Sequence, residues 1–385
     1  MSTQGPTVLV ASDKFKGTLT AAEVGAALSR GVRRVRADAV VVSVPVADGG
    51  DGTLAAALAA GFTAVPVMAS GPTGRPVPTA YARKGDVAVV ELADAAGLVR
   101  LPDGLEPMRS SSRGAGEVIA AAVDAGCREV VLGIGGSAST DGGAGLVRAL
   151  GAVLRDPAGR EIPEGGAGLA DIASLDLGAL TARMTGVRVI VACDVDNPLT
   201  GAAGAAAVFG PQKGAGPEQV IALEDALTRW ADLVAAAVGT DLRAAPGAGA
   251  AGGVGYAALA LLGAELRPGI DLVLDLVDFQ SQLAGADLVI TGEGALDHQT
   301  LHGKAPVGVA SAARRAGVPV VAVCGRSTLS PQALDAVGIR TAYALTDLEP
   351  DLARCLTEGA RLLERLGERI ALEQLPSAVS AGSDA

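Results

Sequence analysis

The stretch TVLVASDKFKGTLTAAEVGAALSRGVRRV (Thr7 to Val35) opens the chain as strand, loop and helix. Its apolar run Thr7 to Ala11 suits a buried strand, and Thr20-Ala-Ala-Glu23 is a capping box that starts a helix to about Val35. Ala39 to Val44 reads as the next strand, followed by a Gly- and Asp-rich loop and a helix through Ala60. Two such β-loop-α units in succession predict right-handed crossovers and a parallel sheet.

The same arrangement recurs further along. Five apolar runs end in loops of Gly, Asp, Ser and Thr: ASDKFKGT (Ala11 to Thr18), PVADGGDGT (Pro45 to Thr53), GIGGSASTDGGAG (Gly133 to Gly145), ACDVDNPLTG (Ala192 to Gly201) and TGEGALDHQTLHGK (Thr291 to Lys304). Ligands of open α/β sheets sit outside the carboxyl ends of the strands, where glycine lets backbone approach a ligand and carboxylates and hydroxyls face it. The chain therefore reads as an α/β enzyme or binder.

Between these loops the texture varies. Thr63 to Val67, Val77 to Ala82 and Val87 to Leu92 alternate like antiparallel strands, separated by SGPTGRP and RKGD. Pro217 to Val238 is the longest periodic helix, Asp271 to Leu283 another, and a final helix starts near Asp351. The last β-loop-α unit matches the first in style. We therefore expect one α/β domain built from both chain ends, residues 1–68 plus 282–373, around an inserted α/β domain, 69–281, with an antiparallel part. Residues 374–385 are small and polar, which predicts a disordered tail.

Bulk composition narrows the function. At 385 residues the chain exceeds the size of one growing core, so two domains are expected. A formal charge of −11 argues against a nucleic-acid or anionic-membrane surface, and 2% aromatics leave little for base stacking on strands of nucleic acid. Met1 to Pro6 lacks the basic start and apolar run of a signal peptide, and Ala244 to Ala264, with Pro246 and GAGAAGGVG, suits a Gly-rich loop and a short buried helix better than a membrane span. Four scattered cysteines without a CxxC pair favour free thiols in a reducing cytoplasm.

Each loop has a chemical and a plainer use. GIGGSASTDGGAG follows a strand and opens a helix, where N–H groups and the helix dipole favour an anion, and it contains the loose dinucleotide pattern G-x-G-x-x-A (Gly133, Gly135, Ala138). A tight packing turn is the equal alternative. Asp194 and Asp196 follow a buried strand, where a carboxylate can take a hydroxyl proton or hold Mg²⁺, although an Asx turn uses Asp194 equally well. Asp48 and Asp51 suit a hard cation or hydroxyls, or simple turn and cap chemistry. Lys14 and Lys16 are two of only five lysines, fit for phosphate or for a solvated loop. Glu293, Asp297, Thr300 and Lys304 gather before a helix from Pro306, while His298 and His302 lack a third nitrogen or sulfur partner for a metal.

In order, SDKFKGTLTA, PVADGGDGT, GIGGSASTDGGAG, ACDVDNPLTG with AAAVFGPQKGA, GAGAAGGVG and TGEGALDHQTLHGKAP resemble the loops of the bacterial class I glycerate kinase family, from Ala11 to about Leu372. The resemblance implies ATP-dependent phosphorylation of D-glycerate, usually to 2-phosphoglycerate, in a cleft between two α/β domains, one flavodoxin-like with a parallel sheet. By motif it implies as site residues Lys16, Asp48, Asp51, Gly135, Gly136, Ser137, Asp141, Asp194, Asn197, Glu293, Asp297 and Lys304. On that basis Asp194 would accept the hydroxyl proton, Asp48 and Asp51 would hold Mg²⁺ or substrate hydroxyls, and Lys16 with the Gly135 to Ser137 backbone would stabilise phosphate charge. Departures from the family pattern are Lys14 for Ser, Arg113 for Tyr, Thr140 for Asn and Ala295 for Arg. Two rivals stay open: a nicotinamide-dependent hydroxy-acid dehydrogenase and a non-catalytic anion-binding protein. Homodimer formation is left open as well.

Overall fold

A computed structural model describes residues 5–376. Its strands are β1 (Thr7–Ser12), β2 (Val40–Ser43), β3 (Thr63–Ser70), β4 (Pro76–Lys84), β5 (Val87–Glu91), β6 (Glu129–Gly133), β7 (Val153–Arg155), β8 (Ser174–Asp176), β9 (Arg188–Ala192), β10 (Glu265–Arg267), β11 (Leu288–Leu296), β12 (Val320–Ser327) and β13 (Ala342–Ala344). The chain divides into two compact units, one running to Asp48 and resuming at Ile270, the other spanning Gly49–Gly269. These divisions lie about twenty and twelve residues before the expected Met68 and Gln282, and pairing explains the first. Thr63 to Met68 is paired along β4 and so belongs to the second sheet.

The first unit holds a five-stranded sheet in the order β13-β12-β11-β1-β2, every pairing parallel. Counted within the unit this is the flavodoxin-like order 2-1-3-4-5, whose switch point falls between β1 and β11. The helix Ala21–Val35 begins with the expected capping box, Thr20 accepting from Glu23 N–H while Glu23 accepts from Thr20 N–H. Its Val24, Ala27, Leu28 and Val32 are buried against the helix Gly359–Gln374 and one face of the sheet. A Cβ on Gly31 would lie 1.9 Å from the Glu364 carbonyl oxygen, so only glycine allows these helices to touch there.

The second unit holds a six-stranded sheet in the order β10-β9-β6-β5-β4-β3. The meander β3-β4-β5 is antiparallel, as the alternation predicts, and β5, β6, β9 and β10 are parallel. Its longest helix, Pro217–Val238, buries Leu223, Leu227, Trp230 and Val234 on one stripe. Trp230 is fully buried and donates from its indole N–H to Gly142 O at 3.0 Å.

Several expected elements differ in detail. The helix expected over Asp271 to Leu283 is two, Gly269–Leu276 and Phe279–Leu283, because Asp278 sits at φ 48° and breaks the ladder. The final helix is likewise split at Glu358 into Leu352–Thr357 and Gly359–Gln374. Strand β11 continues six residues into the fifth loop, since β12 extends alongside it and pairs Ala295 with Arg326. Ala250–Leu262 is a buried helix whose start is distorted by left-handed Ala251, Gly252 and Gly253, as its Gly-rich sequence suggests. Of the expected tail, Gln374 closes a helix and the residues from Ser377 lie outside the described region. No helix among the described residues is long and apolar enough to cross a membrane.

Candidate functional site

In the first unit the candidate residues collect at the carboxyl ends of β1 and β11. Asp13 follows β1, its carboxylate accepting from Lys14 N–H at 2.6 Å, and its pKa is pushed up to about 7. Burial is the main cause, opposed by Lys14 and reinforced by the like charges of Asp48 and Glu293. Asp48, Glu293 and Asp13 are thus electrostatic neighbours within one unit. Sequence reasoning passed over Asp13, although it stands in the SDKFKG string; its signal is burial, which composition cannot show.

Glu293, on β11, is buried and its carboxyl is held above the usual range by desolvation. Thr300 Oγ1 donates to it, and Lys304 Nζ donates at 3.3 Å. Asp297 Oδ1 accepts from Gln299 and Thr300 N–H, while the Asp297 N–H donates to Thr300 Oγ1 at 3.0 Å. Thr300 therefore locks Glu293 to the turn that leads to Lys304, the residue capping the helix Ala305–Arg315. Lys16 is exposed beyond β1.

In the second unit two loops pack backbone to backbone. A Cβ on Gly133 would stand 2.8 Å from Gly49 O, and one on Gly135 would stand 2.8 Å from Gly50 Cα. Close packing therefore explains both glycines of the dinucleotide-like pattern. The helix expected from Ala144 starts there, and its first donors are already taken. Asp141, fully buried, accepts from Ser112 N–H (2.8 Å) and Oγ (2.9 Å), Gly143 N–H (3.1 Å) and Gly145 N–H (3.2 Å). An internal carboxylate occupies the place expected for an external anion, and burial holds its pKa up.

The acidic loop shows the same device. Glu91, at the end of β5, accepts from Gly52 N–H (3.2 Å) and Leu54 N–H (3.1 Å) at the start of the helix Thr53–Ala59. Burial, then Asp94 and Asp51, push its pKa up to about 7 against those hydrogen bonds. Asp51 itself is exposed beside this helix start. Among the described residues no group of three or more His, Cys, Asp or Glu forms a ready-made metal cage.

Gly136 (φ 70°) and Ser137 form the turn after β6. Ser137 Oγ accepts from Lys213 Nζ at 2.8 Å, and the same ammonium donates to Ser139 O at 2.5 Å. Lys213 is buried, which pushes its pKa down to about 7, with Asp141 opposing the shift. It belongs to the AAAVFGPQKGA string and is one of the five lysines, a signal the sequence reading held but did not use.

Asp194 is exposed after β9 and accepts Gly269 N–H at 2.8 Å. Asn197 donates from its side-chain amide to Ala203 O at 2.8 Å, fixing its own loop. Of the departures from the family pattern, Arg113 pairs with Glu117 at 2.9 Å and Glu164 at 3.1 Å, and Thr140 is fully buried with no hydrogen-bond partner for its hydroxyl.

A flavodoxin-like sheet with carboxylates and lysines gathered at its switch point, joined in one chain to a second α/β unit with a glycine-rich strand-end loop, defines a two-unit α/β protein whose polar strand-end residues lie where open α/β sheets hold ligands. The glycerate kinase family matches residues 8–374. Glycerate kinase of Bacillus subtilis is 43% identical over 94% of this chain and 96% of its own length, and glycerate 2-kinase of Escherichia coli is 43% identical over 83% and 85%. The solved structure of putative glycerate kinase 2 from Salmonella typhimurium superposes with a TM-score of 0.85 at 42% identity, covering 96% of this chain and 98% of that one. The chain belongs to the glycerate kinase family.

Proposed function

We propose that this chain transfers the γ-phosphoryl group of ATP to a hydroxyl of D-glycerate, giving 2-phosphoglycerate and ADP. The observation that carries the reading is the family match over residues 8–374, which takes in all five strand-end loops. Phosphoryl transfer asks a protein mainly to position two reactants and to balance charge. Lys16 and Lys304 supply cations, and the Gly135 to Ser137 turn supplies backbone N–H groups.

Mg²⁺ takes oxygen ligands, usually one or two carboxylates plus substrate phosphates. Asp48 is of that donor type, and its charge stands among the like charges that raise the cost of ionising Asp13. Asp51, the second metal residue expected from the family motif, remains a candidate for hydroxyls or the ion. When bound, the ion neutralises phosphate charge.

Two carboxylates compete to accept the hydroxyl proton. Asp194 holds the position expected by motif, but it is exposed and accepts a hydrogen bond from Gly269. Asp13, partly buried with its pKa near 7, is better matched to proton transfer at neutral pH. We favour Asp13. Four free cysteines support a cytoplasmic setting, and sedimentation velocity tests homodimer formation.

The deciding experiment is phosphorus NMR of the purified protein with ATP, Mg²⁺ and D-glycerate. Stoichiometric ADP with a 2-phosphate ester supports the reading. A 3-phosphate ester overturns the regiochemistry, and no ADP overturns the kinase. Asp13→Asn and Asp194→Asn, compared by ADP release, decide between the two bases.

A further inference from the structure

A cavity of about 230 Å³ opens in the first unit at the carboxyl ends of β1, β11 and β12. Its origin is legible in the strands. Leu288 and Ile290 on β11, and Val321 and Val323 on β12, fill the core on one face of the sheet. The following positions on that face are glycine, Gly292 and then Gly294 on β11 and Gly325 on β12, so the core stops and space begins. A Cβ on Gly325 would lie 2.6 Å from Gly294 O, which keeps that floor free of side chains.

The walls are apolar. Phe15, Leu345 and Cys355 are buried, while Leu352 and Leu356 of the helix Leu352–Thr357 line the opening at 54% and 61% exposure. Two large apolar side chains left in solvent beside a cavity mark a surface that gains by being covered. Lys16 and Arg326 also line it, both exposed. The site thus combines a flat backbone floor, apolar walls and two cations.

Resting on the kinase reading above, we propose that this cavity binds the purine base of the nucleotide, with Lys16 and Arg326 meeting its anionic tail. Glycerate is a poor occupant: each of its carbons carries oxygen, and burying those groups against leucines leaves them without hydrogen bonds. The volume is below the roughly 300–1,000 Å³ of a whole drug-sized site, in the range for one ring system. A planar base places its faces against Leu352, Leu356 and the Gly294 and Gly325 backbone.

Photolabelling with 8-azido-ATP and peptide mapping locates the base directly. The expected label falls within residues 345–356 or 15–18 and is suppressed by excess ATP. Steady-state kinetics of Leu356→Glu, at an already exposed position, should show the KM for ATP raised at least tenfold with the KM for glycerate within twofold. Gly294→Val, which fills the cavity where a Cβ meets only ordinary contacts at 3.5 Å and beyond, should do the same. Label confined to residues 49–269, or an unchanged KM for ATP in both variants, overturns the proposal. If the wild type releases no ADP with glycerate, the kinase reading fails separately, and the map of the label still decides the cavity.

Discussion

Lys213 donates from Nζ to Ser137 Oγ across 2.8 Å of buried space, joining a short turn after Gly210 to the glycine-rich loop after β6. Because Ser137 Oγ accepts this bond, its own hydrogen is directed to another acceptor. Lys213 is thus a positioning residue for the loop. Lys213→Met should lower kcat roughly 10²-fold, the scale of losing one oriented donor to a transition state.

A second outcome for Lys213 concerns pH. Its folded pKa, near 7, lies below the ordinary lysine value, so between the two the unfolded chain binds more protons and stability rises with pH. Wild type should therefore gain thermal stability relative to Lys213→Met between about pH 7 and 10. Melting curves of both proteins across that range check the sign; a flat difference contradicts the buried ammonium.

Asp13 gives the opposite case for a carboxylate. Its pKa is raised to about 7, so from about pH 4 to 7 the folded state holds the extra proton, and stability falls as pH rises through that window. Asp13→Asn should be more stable than wild type above pH 7. As proton acceptor, Asp13 should also give wild-type kcat/KM an ascending limb near pH 7, and its removal should cost about 10²–10⁴-fold.

Thr300→Val breaks the link between Glu293 and the Asp297 turn, since the hydroxyl both donates to Glu293 and accepts from Asp297 N–H. Leaving such buried groups unsatisfied costs about 1–3 kcal/mol. Urea denaturation should show that loss. Thr300→Ser, which keeps the hydroxyl, should recover most of it.

Asp141→Asn replaces a carboxylate surrounded by donors with an amide that must turn an N–H toward one of them. The expected loss is about 1–3 kcal/mol in stability, with activity per folded molecule changed far less than in Lys213→Met. Chemical denaturation combined with active-site titration separates the two effects.

Much of the fold is legible in the chain because it is local. The Thr20–Glu23 capping box, the alternation of β3 to β5 and the strand-loop-helix rhythm are set by neighbours within a few residues, and the structure shows each of them. The helix over Asp271 to Leu283 was not legible as two pieces, since its apolar period continues across Asp278 and only the backbone at that residue departs. Glu293 was expected in a loop and lies in a strand, because the length of β11 depends on β12, which starts 24 residues later.

The candidate site divides along the same line. The sequence alone determined the family resemblance, the acidic and glycine-rich strand-end loops and the flavodoxin-like expectation, because residue type, spacing and period carry that information. Tertiary structure alone decided that Asp141 joins Ser112 to its own loop, that Asn197 and Asp297 accept or donate within theirs, that Glu91 caps a helix 37 residues before it, and that Lys213 reaches Ser137. Hydrogen bonds and desolvation act through space and not along the chain. A side chain's neighbours, and so its pKa and its availability to a ligand, exist only once distant segments have packed.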